Sequence, residues 1–209
     1  MKLAPMRSIS ATIGLLTNLM TAAHAAPGDY RFELTPVAGY VAGGTFEDKL
    51  TDEELQLDDS SAVGFQVNIR ADSQSTWEIH YVNQDTRAST PATPSLDVII
   101  RKFEVGGTYE TSDRATRPFA AATFGFSQVE PGDSTFEDDT YFSFSLGGGV
   151  KFFTDRKFGL TLDARWVAAV IDEDTDVFCV SAGGLTCLVQ ADAGLASQFR
   201  LFVGLNARF

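Results

Sequence analysis

The chemistry available to this chain lies mostly in charged side chains that recur at every second position. Arg31 and Glu33, Arg70, Glu78 and His80, Lys102 and Glu104, Lys151, Asp163 and Arg165, and Arg200 all stand in segments where polar and apolar residues alternate. Residues two apart share one face of an extended strand, so acids and bases there can pair across strands and neutralise one another. Three other groupings hint at more specific chemistry. His80 has Glu78 on its own face to orient it as a base, but no Ser stands beside it on that segment, so a Ser-His-acid catalyst is not assembled. Asp172-x-Asp174-x-Asp176 begins like a calcium loop, yet Val177 holds the sixth position and Gly183 the twelfth, where such a loop needs Gly and Glu. Cys179 and Cys187, with no second Cys pair or His cluster, fit a disulfide better than a metal site. The sequence therefore predicts no catalytic residue, no metal site, no cofactor and no enzyme.

A disulfide needs an oxidising compartment, and the N-terminus supplies the route to one. Lys2 and Arg7 precede a mostly apolar run from Ile9 to Met20, and Ala23-His24-Ala25 has the small-x-small form of a cleavage site. Residues 1–25 read as a secretory signal peptide and residues 26–209 as one exported domain. With 28 acidic against 16 basic residues and no basic cluster, the chain is unsuited to nucleic acid. Beyond the N-terminal run, no apolar stretch approaches the ~20 residues of a membrane helix.

The elements that position the charges are strands. Between Tyr141 and Phe153, Phe142, Phe144, Leu146, Gly148, Val150 and Phe152 alternate with Ser143, Ser145, Gly147, Gly149 and Lys151. A helix would place its apolar residues three and four apart. The same period of two carries Val63 to Arg70, Trp77 to Tyr81, Lys102 to Tyr109, Leu160 to Trp166 and Gln198 to Phe209. Two segments are less clean. Phe32 to Ala42 contains Pro36, which a strand tolerates chiefly at an edge or bulge. From Phe119 to Gln128 both faces hold Ala, Phe or Gly, and Ala120, Ala122, Phe124 and Phe126 are expected on the apolar side. The total is eight strands.

Their connectors alternate in length. Phe46 to Ser60, Asp85 to Ser95, Glu130 to Thr140 and Ile171 to Leu195 are long, whereas Asp72 to Ser75, Thr111 to Arg117 and Thr154 to Lys157 are short. The first, third and fourth long connectors carry seven, five and five acidic residues against the single base Lys49. The pattern predicts an eight-stranded antiparallel up-and-down transmembrane β-barrel with short periplasmic turns and acidic external loops. A soluble lipocalin-like binder would share the alternation but turn its apolar face inward. Small Gly and Ser positions on the polar face, and charges of both signs there, favour a narrow polar lumen with lipid outside. Arg101 falls in phase with Phe103 and Val105 on the lipid side, near the external end, where it would meet a lipopolysaccharide phosphate; a bulge at Ile99-Ile100 would turn it inward instead.

The closing alternation of Phe199, Leu201, Val203, Leu205 and Phe209 resembles the C-terminal assembly signal of Gram-negative outer-membrane proteins. Phe32-Glu33-Leu34-Thr35-Pro36, followed by Gly39-Tyr40 and Gly43-Gly44, resembles the first strand of small OmpA/OmpX/OmpW-like barrels. Val105-Gly106-Gly107-Thr108-Tyr109 and Arg117-Pro118-Phe119 resemble their middle strands. The resemblance is to the barrel domain alone, so no peptidoglycan-binding role comes with it. It implies an outer-membrane location, with membrane lipid, lipopolysaccharide and the barrel-assembly machinery as partners. An eight-stranded interior is just wide enough to be filled by side chains, which disfavours a general pore. The expected role is structural or surface-interaction through the acidic loops. A narrow OmpW-like passage for ions or small solutes is the alternative.

Overall fold

The computed structural model describes residues 30–47, 54–90, 93–111, 115–132, 138–153, 157–171, 175–180, 186–191 and 194–209. The proposed signal peptide, Asp172 and Asp174 lie outside them. Eight strands form the barrel wall: β1 (Phe32–Ala42), β4 (Ser60–Arg70), β5 (Ser75–Thr90), β6 (Thr93–Glu110), β7 (Thr116–Pro131), β8 (Asp139–Phe153), β9 (Phe158–Ile171) and β12 (Gly194–Arg208). Each pairs antiparallel with its neighbours in sequence order, and β1 with β12 closes the ring. No wall strand is left with a free edge, so Pro36 sits in a ladder with two neighbours. The β1–β12 register passes from Leu34↔Ala207 to Val37↔Gly204 without a slip, and pairing simply lapses at Thr35 and Pro36. A missing N–H interrupts the seam there without a bulge.

The faces divide as the alternation predicts. Phe65, Trp77, Phe103, Tyr109, Phe124, Phe126, Phe142, Leu146, Leu162, Leu201, Val203 and Leu205 all point outward and are 41–66% exposed. Glu33, Gln66, Asn68, Glu78, His80, Glu104, Lys151, Asp163, Arg165 and Arg200 point inward and are at most 1% exposed. A continuous apolar belt outside and buried charges inside is the inverse of a water-soluble protein. Hydrocarbon is the solvent that this arrangement suits. The Phe119–Gln128 segment also falls as expected, with Ala120, Ala122, Phe124 and Phe126 outside.

The connectors depart from the expectation in three places. Asp85 to Ser95 is not a long loop: β5 runs to Thr90 and β6 starts at Thr93. These strands have 16 and 18 residues, whereas a tilted span needs only about 9–11. Their ends therefore stand clear of the membrane. In the first connector, β2 (Thr45–Glu47) pairs with β3 (Glu54–Leu57), which continues the sheet onto β5. In the fourth, β10 (Thr175–Val180) and β11 (Thr186–Ala191) make a separate hairpin whose register sets Cys179 opposite Cys187.

At the opposite end, Asp72 organises the β4–β5 turn. Its Oδ1 accepts from the backbone N–H groups of Gln74 and Ser75, both at 2.8 Å. Those bonds hold its carboxyl below the usual range. A carboxyl depressed in the folded state stabilises above its unfolded value and loses that contribution as pH falls. Asp72→Ala is expected to lower the urea unfolding midpoint at pH 7 and to lose part of that deficit as acid weakens the wild type. Equal midpoints at pH 7 would refute the role.

Candidate functional site: the charged lumen

The inward side chains form three successive layers. At the mouth near the chain termini, Lys151 Nζ lies 2.6 Å from Glu33 Oε1 and 3.0 Å from Glu110 Oε1, and Arg208 Nε donates to Glu33 Oε2 at 2.7 Å. Asn206 donates to Glu33 and Thr35 and accepts from Thr161. The Arg208 guanidinium lies 3.2 Å from the Phe153 ring centroid and 4.1 Å from that of Tyr30. Aromatic faces supply the remaining electrostatic contact to this cation.

The middle layer is centred on Arg165. Its Nη1 and Nη2 reach the two Glu78 oxygens at 2.6 and 3.0 Å, and its Nε and Nη2 engage Asp163. Gln66 also donates to Asp163, at 2.7 Å. Asp163 and Arg165 are neighbours on one strand face, whereas Glu78 comes from β5 across the lumen. The guanidinium thus ties opposite walls together by a bidentate, charge-assisted contact.

In the third layer Arg200 Nη2 donates to Glu104 Oε2 at 3.0 Å and contacts Ser145 Oγ at 3.2 Å. The same nitrogen lies 3.1 Å from His80 Nδ1. A guanidinium can only donate, so Nδ1 accepts and the imidazole carries its proton on Nε2. Phe202 is fully buried beside it, with ring centroids 6.2 Å apart. Lys102 Nζ crosses the lumen to Gln198 Oε1.

Beyond these layers the interior turns largely apolar, with Gln84 and Thr86 as its buried polar residues on β5. Val98, Ile100, Tyr141, Ala196, Ala88 and Leu57 form a buried cluster there, while Val37, Val41, Ala62, Val82 and Phe202 form another alongside the charged layers. Among the described residues, five carboxylates (Glu33, Glu78, Glu104, Glu110, Asp163) and five cations (Lys102, Lys151, Arg165, Arg200, Arg208) are buried in the lumen. Over the lumen as a whole the two signs balance, although not layer by layer.

Two residues assigned to this network by alternation belong elsewhere. Arg31 is exposed ahead of β1, where its backbone N–H donates to Phe209 O at 2.8 Å and its carbonyl accepts from Arg70 N at 3.0 Å. Arg70 ends β4, where its side chain reaches the Asp72 and Ser73 carbonyls of the turn. Both keep the inward phase but lie at the barrel mouth, where water competes for them. Conversely, Glu110, Asn206 and Arg208 are network members that the sequence reasoning passed over. Glu110 continues the phase of Lys102, Glu104 and Thr108, and Arg208 that of Arg200, so extending each alternation to its end would have found them.

Arg101 keeps the outward phase and pairs with Glu130 on β7. The β5–β6 register runs through Ile99 and Ile100 without a bulge. Among the described residues, no group of three or more His, Cys, Asp and Glu is arranged to hold a metal ion.

A closed barrel of this construction has known counterparts. Residues 13–185 match the outer membrane protein beta-barrel domain family. The chain belongs to that family. Its fold is similar to Neisserial surface protein A (NspA), with TM-score 0.56, 13% identity and coverage of 85% of this chain and 97% of that one. OprG from Pseudomonas aeruginosa gives TM-score 0.55 at 9% identity, covering 87% and 98%. Identities this low show the fold alone. No curated protein is significantly similar in sequence. As an outer-membrane barrel, the protein lies in the bacterial outer membrane.

Proposed function

We propose that this outer-membrane barrel is a non-catalytic anchor that presents its external loops and strand extensions for surface interaction. The observation that carries this reading is the filled lumen: three ion-paired layers lie beneath an apolar cap built from Leu57, Ala88, Val98, Ile100, Tyr141 and Ala196. A plugged interior directs function to the outside. There the barrel offers the β5–β6 extension, the β2–β3 hairpin and the β10–β11 hairpin, the last closed by a Cys179–Cys187 bridge in this proposal. The acidic residues of the connectors give that surface a negative field suited to cationic partners. In the same reading, membrane lipid surrounds the apolar belt and lipopolysaccharide phosphates meet its outer rim near Arg101. The assembly machinery reads Phe199, Leu201, Val203 and Leu205 on β12 together with the terminal Phe209.

Planar-bilayer recording separates this role from a narrow transport barrel. The plugged lumen is expected to give no unitary current steps in molar salt. Reproducible steps from the purified protein would move the assignment to ion or small-solute passage.

A further inference from the structure

The third layer of the lumen is short of acceptors. Arg165 uses all three guanidinium nitrogens on two carboxylates. Arg200, only 1% exposed, hydrogen-bonds through Nη2 alone; its guanidinium lies 5.9 Å from the Phe202 ring centroid, and Nε and Nη1 have no hydrogen-bond partner. Gln198 Nε2, Ser127 Oγ and Ser143 Oγ are likewise buried and unpartnered. Lys102 is 6% exposed and contacts Gln198, but among the described residues no carboxylate lies within ion-pair distance of it.

These groups are neighbours. Lys102 is the cross-strand partner of Ser127, and Gln198 precedes Arg200 by two on the same face. Ser143 precedes by two the Ser145 that contacts Arg200. Two cations share this level with one carboxylate, Glu104, whose Oε2 serves Arg200 and whose Oε1 is unpartnered. Leaving several buried donors unsatisfied is costly in a native interior, so a common acceptor is the economical solution.

We propose that this layer binds one small monovalent anion, of chloride or bromide size, between Lys102, Arg200, Ser127 and Ser143. The surplus groups are chiefly donors and the local charge is positive, which selects an anionic acceptor. A bore that side chains nearly fill selects a compact one. The site lies beneath the apolar cap of Val98, Ile100, Tyr141 and Ala196, so the ion is captured as the barrel closes.

The test refolds the full barrel from urea into detergent with sodium bromide, chloride or gluconate at equal ionic strength. Halide is expected to shift the unfolding midpoint upward relative to gluconate, and the shift should saturate, as for a ligand bound only by the folded state. Lys102→Met should abolish the shift, and Ser127→Val, which keeps the charge, should weaken it. Crystals of bromide-refolded protein should show an anomalous peak beside Lys102 Nζ. Equal midpoints in bromide and gluconate, or a halide shift that survives Lys102→Met, would overturn the proposal and leave water as the bridging group.

Discussion

Arg165→Met is expected to destabilise the folded barrel by about 3–5 kcal/mol, the cost of stranding buried charge by removing its partner. Both Glu78 and Asp163 would lose their counterion, and neither has water to turn to, because each is at most 1% exposed. Methionine roughly preserves the volume, so a cavity contributes little. The triple variant Arg165→Met, Glu78→Gln, Asp163→Asn removes the stranded charges with the cation and should recover most of the loss. Urea unfolding in detergent or lipid reads both. A single variant within about 1 kcal/mol of wild type would show that the middle layer is solvated and does not bind the walls together.

The second large effect is on the outer face. Leu162 is outward and lies on β9 midway between the aromatic residues Phe158 and Trp166, so it occupies the centre of the apolar belt. Leu162→Arg is expected to cost about 2–4 kcal/mol of folding into bilayers, as for a cation at the membrane midplane. Ser95→Arg, exposed near the start of β6, places the same charge beyond the belt and should be nearly silent. Similar losses at both positions would mean that the belt does not meet lipid.

Why the alternation was readable in some stretches and misleading in others follows from a change of solvent. Along β6, Phe103, Val105 and Tyr109 face out while Lys102 and Glu104 face in; above Arg101 it is Val98 and Ile100 that face in and Asp97 that faces out. The inversion marks the point where hydrocarbon gives way to water outside the wall. β5 inverts likewise, with His80 inward but Val82 also inward and Asn83, Asp85 and Arg87 turned away from the lumen. A rule that assigns apolar residues to one face throughout loses the strand there, which is why Asp85 to Ser95 read as a loop. Within the belt the eight strands and their faces were legible because one solvent acts along the whole span.

The charged lumen was legible in phase but not in depth. Alternation places Arg31 and Arg70 with Glu33 and Asn68, but only the three-dimensional ends of β1 and β4 show that the first two reach water. Partner choice was also hidden, since Glu78 and Arg165 are 87 positions apart and meet across the bore. Phe202 shows a further limit: it shares the polar phase of β12 with Arg200 and Asn206, and only the fold shows that its ring fills the lumen beside His80.

The chain has two tryptophans, and both report on the central claim without added labels. Trp77 and Trp166 are outward and 66% and 38% exposed. In bilayers of lipids brominated along the acyl chain, their fluorescence should be strongly quenched, while aqueous iodide should quench it little. Strong quenching by iodide with none by brominated lipid would mean that water wets the apolar belt, and the membrane-spanning account would fail.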